Sequence, residues 1–180
     1  MIGVLAQTFN QPTLDYHALA PEIILAGVVV LVLLVDLFVD ETRKWALSTI
    51  SGMGVLVAFI PIVTLALSDE GPRVMFGGGY VVDDFALVVK ALFLLSAYIV
   101  ILMSSNYVEE GDYHQGEYYF LLLTSVLGMV MMGSSRDLVS IFVALEFLSI
   151  PAYMLAAWRK RDLKSNEAGM KYFLLSLIHI

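Results

Sequence analysis

Five ionisable side chains stand in or beside long apolar stretches of this sequence: Glu22, Asp36, Lys90, Glu146 and Lys171. Holding an ion in such surroundings costs at least about 2.5–3.5 kcal/mol on insertion scales, so each needs a reason to be there. Glu22 and Asp36 lie about one turn from opposite ends of the first apolar run, where a carboxylate can reach headgroup level or cap a helix. Lys90 stands five residues into its run beside Asp83 and Asp84, and its flexible stem allows it to snorkel outward. Glu146 differs, being eight residues from one end of its run and twelve from the other. At helical rise these are roughly 12 and 18 Å, too far for a Glu side chain to reach either surface. It must face a polar group or a water-filled cavity, or be protonated. A buried structural hydrogen bond and a role as proton relay or counter-ion are the two readings. Lys171, seven residues into the last run, is the natural second member of a proton path, while Glu167 at i−4 offers it an ordinary helix-surface ion pair. Their different depths mean that contact between Glu146 and Lys171 requires helix tilt or bridging water.

The chain that must position these groups has 180 residues, 59% apolar and 15% charged, with mean hydropathy +0.84. A soluble domain is closer to half apolar and a quarter charged. Apolar runs near 20–39, 45–67, 85–105, 118–134, 138–158 and 165–180 predict an all-α polytopic membrane protein of about six helices. The last run falls about a turn short of a full crossing and is read as truncated. The first nineteen residues lack the basic and apolar parts of a cleavable signal, so the first run is read as a retained helix. Pro21 suits a helix start, and Pro61 and Pro151 are tolerable as kinks among neighbouring helices. Only the connection 68–84 has room for structure of its own, and FGGGYVVDD predicts a small turn or hairpin lying over the bundle. It lacks the following basic residue that a phosphate cradle needs. Gly128 and Gly133 permit close helix approach.

Lys+Arg 10 against Asp+Glu 17 gives a formal charge of −7, opposite to the basic footprint of a nucleic-acid binder. With no cysteine, disulfides and thiolate metal sites are absent by inventory. His17 and His114 lie in connections without a second ligand at metal spacing, so no metal site is expected. Arg43, Lys44, Arg159, Lys160, Arg161 and Lys164 fall on one side of the alternating runs, and only Arg73 and Arg136 on the other. The positive-inside rule then puts the N-terminus outside, with Trp45 and Trp158 at the inner interface.

Three stretches carry a resemblance: LAPEIILAGVVVLVLLVDLF, GEYYFLLLTSVLGMVMMGSSRDLVSIFVALEFLSIPAYMLAAW and NEAGMKYFLL. They resemble the N-terminal part of the subunit N family of the proton-pumping NADH-quinone oxidoreductase, respiratory complex I. The resemblance implies an antiporter-like helix bundle with inverted five-helix repeats and a central row of membrane Glu and Lys residues. The family's buried Glu of the fifth helix falls on Glu146 within LEFLSIPAY, and its Lys of the sixth helix on Lys171 within MKYFLL. Both are thereby implied in proton translocation. It also implies that this chain binds no cofactor, NADH and quinone being used by the parent complex. Its partners would be the lipid bilayer and the other membrane subunits, in a bacterial plasma membrane or the mitochondrial inner membrane. A subunit of a multi-subunit Na⁺/H⁺ antiporter is the first competing reading, and a non-catalytic membrane assembly protein the second. Because the family continues into further Lys-bearing helices, residues 1–180 are expected to be the N-terminal fragment of one membrane domain. The terminal LSLIHI resembles a translated transposon-adapter end and is expected to be foreign.

Overall fold

Aspartates open three of the helices. Asp83 Oδ1 accepts from the Ala86 amide at 2.8 Å, Asp137 Oδ1 from the Ser140 amide at 2.8 Å, and Asp162 Oδ1 from the Lys164 amide at 3.0 Å. Each bond satisfies a first-turn N–H that has no intrahelical partner. The computed structural model describes residues 14–38, 45–68, 71–110, 115–160 and 162–179. Their α-helices are α1 (Ala20–Phe38), α2 (Trp45–Ala66), α3 (Asp84–Glu110), α4 (Gln115–Ser134), α5 (Leu138–Ala156) and α6 (Leu163–His179). The expected all-α polytopic bundle is therefore found, with all six runs helical. Helices α3 and α4 extend beyond their apolar runs because Asn106–Glu110 and Gln115–Glu117 continue the backbone hydrogen bonding. Hydropathy marks the depth of the bilayer, not the end of a helix.

Helices α1 to α5 are long and apolar enough to cross a membrane, whereas α6 has 17 residues. Consecutive helices alternate in direction. The start of α1 meets the starts of α3 and the end of α4, while the start of α4 meets the ends of α1 and α5. The core lies among α1 to α4, with Leu25, Val55, Leu94 and Leu123 fully or almost fully buried. Outward faces carry Leu34, Leu37, Leu95 and Met103, which suits contact with lipid tails. Helix α5 packs on α4, and α6 packs on α5 through Tyr153, whose ring meets Tyr172 edge-on at 4.9 Å.

Gly128 lets helix backbones approach closely: a Cβ there would stand 2.5 Å from the Leu148 nitrogen and 2.9 Å from the Ala144 oxygen. The expected close approach at Gly128 is thus confirmed. At Gly133 the nearest atom would be Val89 Cγ1 at 3.5 Å, an ordinary contact.

The expected hairpin is present as β1 (Arg73–Met75) paired antiparallel with β2 (Tyr80–Val82). Its turn has positive φ at Phe76, Gly77 and Gly78, a backbone that glycine adopts without penalty. Arg73 pairs with Asp15 at 2.5 Å, Arg136 with Asp83 at 2.5 Å, and the Arg136 amide donates to the Gly79 carbonyl at 2.9 Å. These bonds seat the hairpin across the ends of the bundle. The 40–44 connection with Arg43 and Lys44, together with His114 and Arg161, lies outside the described residues.

Candidate functional site

The densest polar arrangement inside the bundle joins α1, α3 and the hairpin. Glu22 is the third residue of α1 and Lys90 the seventh of α3, so both sit near the hairpin end. Lys90 Nζ lies 2.6 Å from Glu22 Oε1, with its side chain 0% exposed. The Tyr80 hydroxyl donates to the same Oε1 at 2.6 Å, and Lys90 Nζ donates to the Tyr80 oxygen at 3.5 Å. The ammonium also stands 5.3 Å from the centre of the Tyr80 ring, within cation–π reach. Burial, then the adjacent Glu22 charge, push the Tyr80 phenol well above its ordinary value, so it remains a donor. Glu22 Oε2 is buried without a hydrogen-bond partner among the described residues.

This corrects two sequence expectations. Lys90 does not snorkel outward, and Glu22 does not point to headgroups. Each is the other's counter-ion, because two opposite charges at one depth lower the cost of burial by pairing. The sequence signal was available: both lie within two turns of the same end of alternate helices. Asp36 behaves more nearly as expected. Its carboxyl lies against Gly116 in the first turn of α4, where the helix dipole favours an anion.

Glu146 is half-buried near the middle of α5, between Ala144 and Leu148, which face Gly128 of α4. Among the described residues it makes no hydrogen bond or ion pair. Lys171 forms the i,i+4 pair with Glu167 at 2.6 Å, both side chains largely exposed. The chain therefore does not bring Glu146 and Lys171 into contact. No group of three or more His, Cys, Asp or Glu gathers into a metal-holding cluster among the described residues.

The opposite end of the bundle is basic and aromatic. Lys160 Nζ lies 2.7 Å from Glu117 Oε2, and Arg159 donates to the Tyr107 hydroxyl at 2.7 Å. Trp158 packs on Tyr118 with ring centres 5.1 Å apart. These contacts tie the α5–α6 connection to α3 and α4.

A family model described as "NADH:quinone oxidoreductase/Mrp antiporter, TM" matches residues 135–179, which include both Glu146 and Lys171. NADH-quinone oxidoreductase subunit N of Anoxybacillus flavithermus is 39% identical over 166 residues, covering 91% of this chain and 33% of that protein. The subunit N of Trichlorobacter lovleyi is 38% identical over 172 residues, covering 95% of this chain and 34% of that protein. A solved structure of respiratory complex I from Thermus thermophilus, with bound aureothin, contains a chain of TM-score 0.68 and 31% identity. That match covers 88% of this chain and 33% of the other. The chain thus spans about a third of the length of the curated relatives it matches. Over that third, this multi-pass membrane chain matches the family of NADH-quinone oxidoreductase subunit N.

Proposed function

We propose that the chain forms part of a membrane-arm subunit of an NADH-quinone oxidoreductase, where NADH oxidation and quinone reduction elsewhere drive proton translocation. The observation that carries this reading is the likeness to subunit N along nearly the whole chain. The reading takes residues 1–180 as the N-terminal part of a single membrane domain, partnered by lipid and by other membrane subunits of complex I. It assigns proton handling to Glu146 and Lys171. Glu146 is held too deep for its carboxylate to reach water along the helix, which supports a part for its charge. Lys171 shares its charge with Glu167, so its role requires that pair to open or move.

Glu146→Gln in the full-length subunit keeps shape and hydrogen bonding while removing the titratable group. Proton translocation by the assembled complex, normalised to complex content, is expected to fall several-fold. Glu146→Asp should retain more of it, and Lys171→Met should impair it too. Wild-type translocation by the Gln variant would remove Glu146 from the proton path.

The same reading places the hairpin end outside and the Arg159–Lys160 end inside, following the basic bias. This chain contains no cysteine, so introduced thiols are easily tracked. A Cys at Ser68 should react with an impermeant thiol reagent in intact cells, and one at Thr42 should not. The reverse pattern would invert the orientation.

A further inference from the structure

The Glu22–Lys90 pair belongs to helices that carry neither Glu146 nor Lys171, and it has its own route to the surface. A cavity of about 420 Å³ is lined by Glu22, Tyr80, Phe76, Met131, Val139 and Val143, among others. Phe76, Val139 and Val143 are exposed, so the cavity opens at the hairpin end, whereas Glu22 is 92% buried at its inner side. Oε1 of Glu22 is committed to Lys90 and Tyr80, which leaves Oε2 as the buried oxygen with both lone pairs unused. An unsatisfied buried carboxylate oxygen is costly unless something occupies it for part of the time. The polar groups around the pair come from β2, from α4 and from the residue ahead of α3. They are Tyr80 from β2, Ser134 from α4, and Asp83 ahead of α3, itself bound by Arg136. Ser135 and Ser140 add hydroxyls to a cavity wall that is otherwise mostly apolar.

We propose that Glu22 and Lys90, with Tyr80 positioning the carboxylate, form a further proton-exchange site that meets water through this cavity. The proposal rests on the proton-translocating reading above. On loading, a proton from hydronium in the cavity adds to Oε2, so one O–H bond forms as another breaks. The pair passes from carboxylate–ammonium to carboxylic acid–ammonium. On unloading, the same proton returns to water. Tyr80 holds Oε1 and thereby keeps Oε2 as the atom that receives the proton.

A purely architectural ion pair would produce the same geometry, and a double replacement separates the two roles. Glu22→Gln with Lys90→Met removes both ionisable groups, preserves approximate shape and leaves no unpaired buried charge. The full-length subunit carrying both changes is assembled in its complex and reconstituted into vesicles, and protons translocated per NADH oxidised are measured. The complex is expected to assemble with a several-fold lower proton yield, while Glu22→Asp alone keeps a higher yield than the double variant. A wild-type yield from the double variant overturns the proposal. Should the double variant not assemble, Tyr80→Phe decides, because it retains the pair and the ring over Lys90. A lowered yield with an altered pH profile supports the site, and a yield and profile identical to wild type overturn it. Glu146→Gln in the same vesicles distinguishes this inference from its foundation. Lost pumping there beside a wild-type double variant sinks the exchange site alone, and wild-type pumping in both sinks both.

Discussion

Lys90→Met as a single change is expected to destabilise the protein by about 3–5 kcal/mol, the range found when one partner of a buried pair is removed. Glu22 would keep its burial and its bond from Tyr80 but lose the ammonium 2.6 Å from Oε1. The cation–π contact at 5.3 Å would disappear with it. The hydrocarbon stem is not the issue, since Met fills nearly the same space. Denaturant titration of the full-length protein in mixed micelles measures the loss. Restoring stability by adding Glu22→Gln would identify the uncompensated carboxylate as its cause. A snorkelling Lys90 would instead make the Met variant nearly neutral, and that result would remove the buried pair from the account of stability.

Gly128→Ala should produce the second large effect, because the obstacle is backbone. The new Cβ would meet the Leu148 nitrogen at 2.5 Å, the Phe147 carbonyl carbon at 2.8 Å and the Ala144 oxygen at 2.9 Å. No rotamer change relieves such contacts, so α5 must move away from α4. The bond from Ser125 Oγ to the Leu148 carbonyl, 3.1 Å long, would lengthen with that movement. Overpacking of this kind costs about 1–3 kcal/mol for one methyl, and Leu should cost more. Gly133→Ala is the matched control, because its Cβ meets Val89 at 3.5 Å. Thermal unfolding of the two variants side by side tests the difference. Equal losses at the two glycines would show that α5 does not rest on α4 as closely as these distances state. Since Glu146 lies between Ala144 and Leu148, the Gly128 variant should also disturb whatever Glu146 does.

The helices were legible because apolar run length and helix length share a cause, the thickness of the hydrocarbon layer. The hairpin was legible because positive φ at Gly77 and Gly78 needs glycine, and the sequence supplies three in a row. Gly128 could be read as a small residue but not as the point where a carbonyl and an amide press against a Cα. Such a contact depends on the rotation of two helices about their axes, which hydropathy along one chain does not specify. The Glu22–Lys90 pair was missed for a related reason. Each residue taken alone had a nearby surface to reach, and that local solution hid the better one across 68 residues of chain. Lys171 shows the converse. Its i,i+4 partner Glu167 was visible from spacing alone, and the pair forms at 2.6 Å. Glu146 remained conspicuous in the sequence because its depth excludes a local solution, and the described residues supply no polar partner for it.

The bonds that seat the hairpin also have an order in time. Asp15 and Glu22, which receive Arg73 and Tyr80, are already made when the hairpin leaves the ribosome. Lys90 follows Tyr80 by ten residues. Arg136 lies 53 residues beyond Asp83, roughly 3–11 s later at a synthesis rate of about 5–20 residues per second. During that interval the nascent hairpin has its partners on α1 and, once Lys90 is made, on α3, while Asp83 waits for its guanidinium. Both partners of the buried ion pair, which joins α1 to α3, are therefore synthesised before any residue of α4.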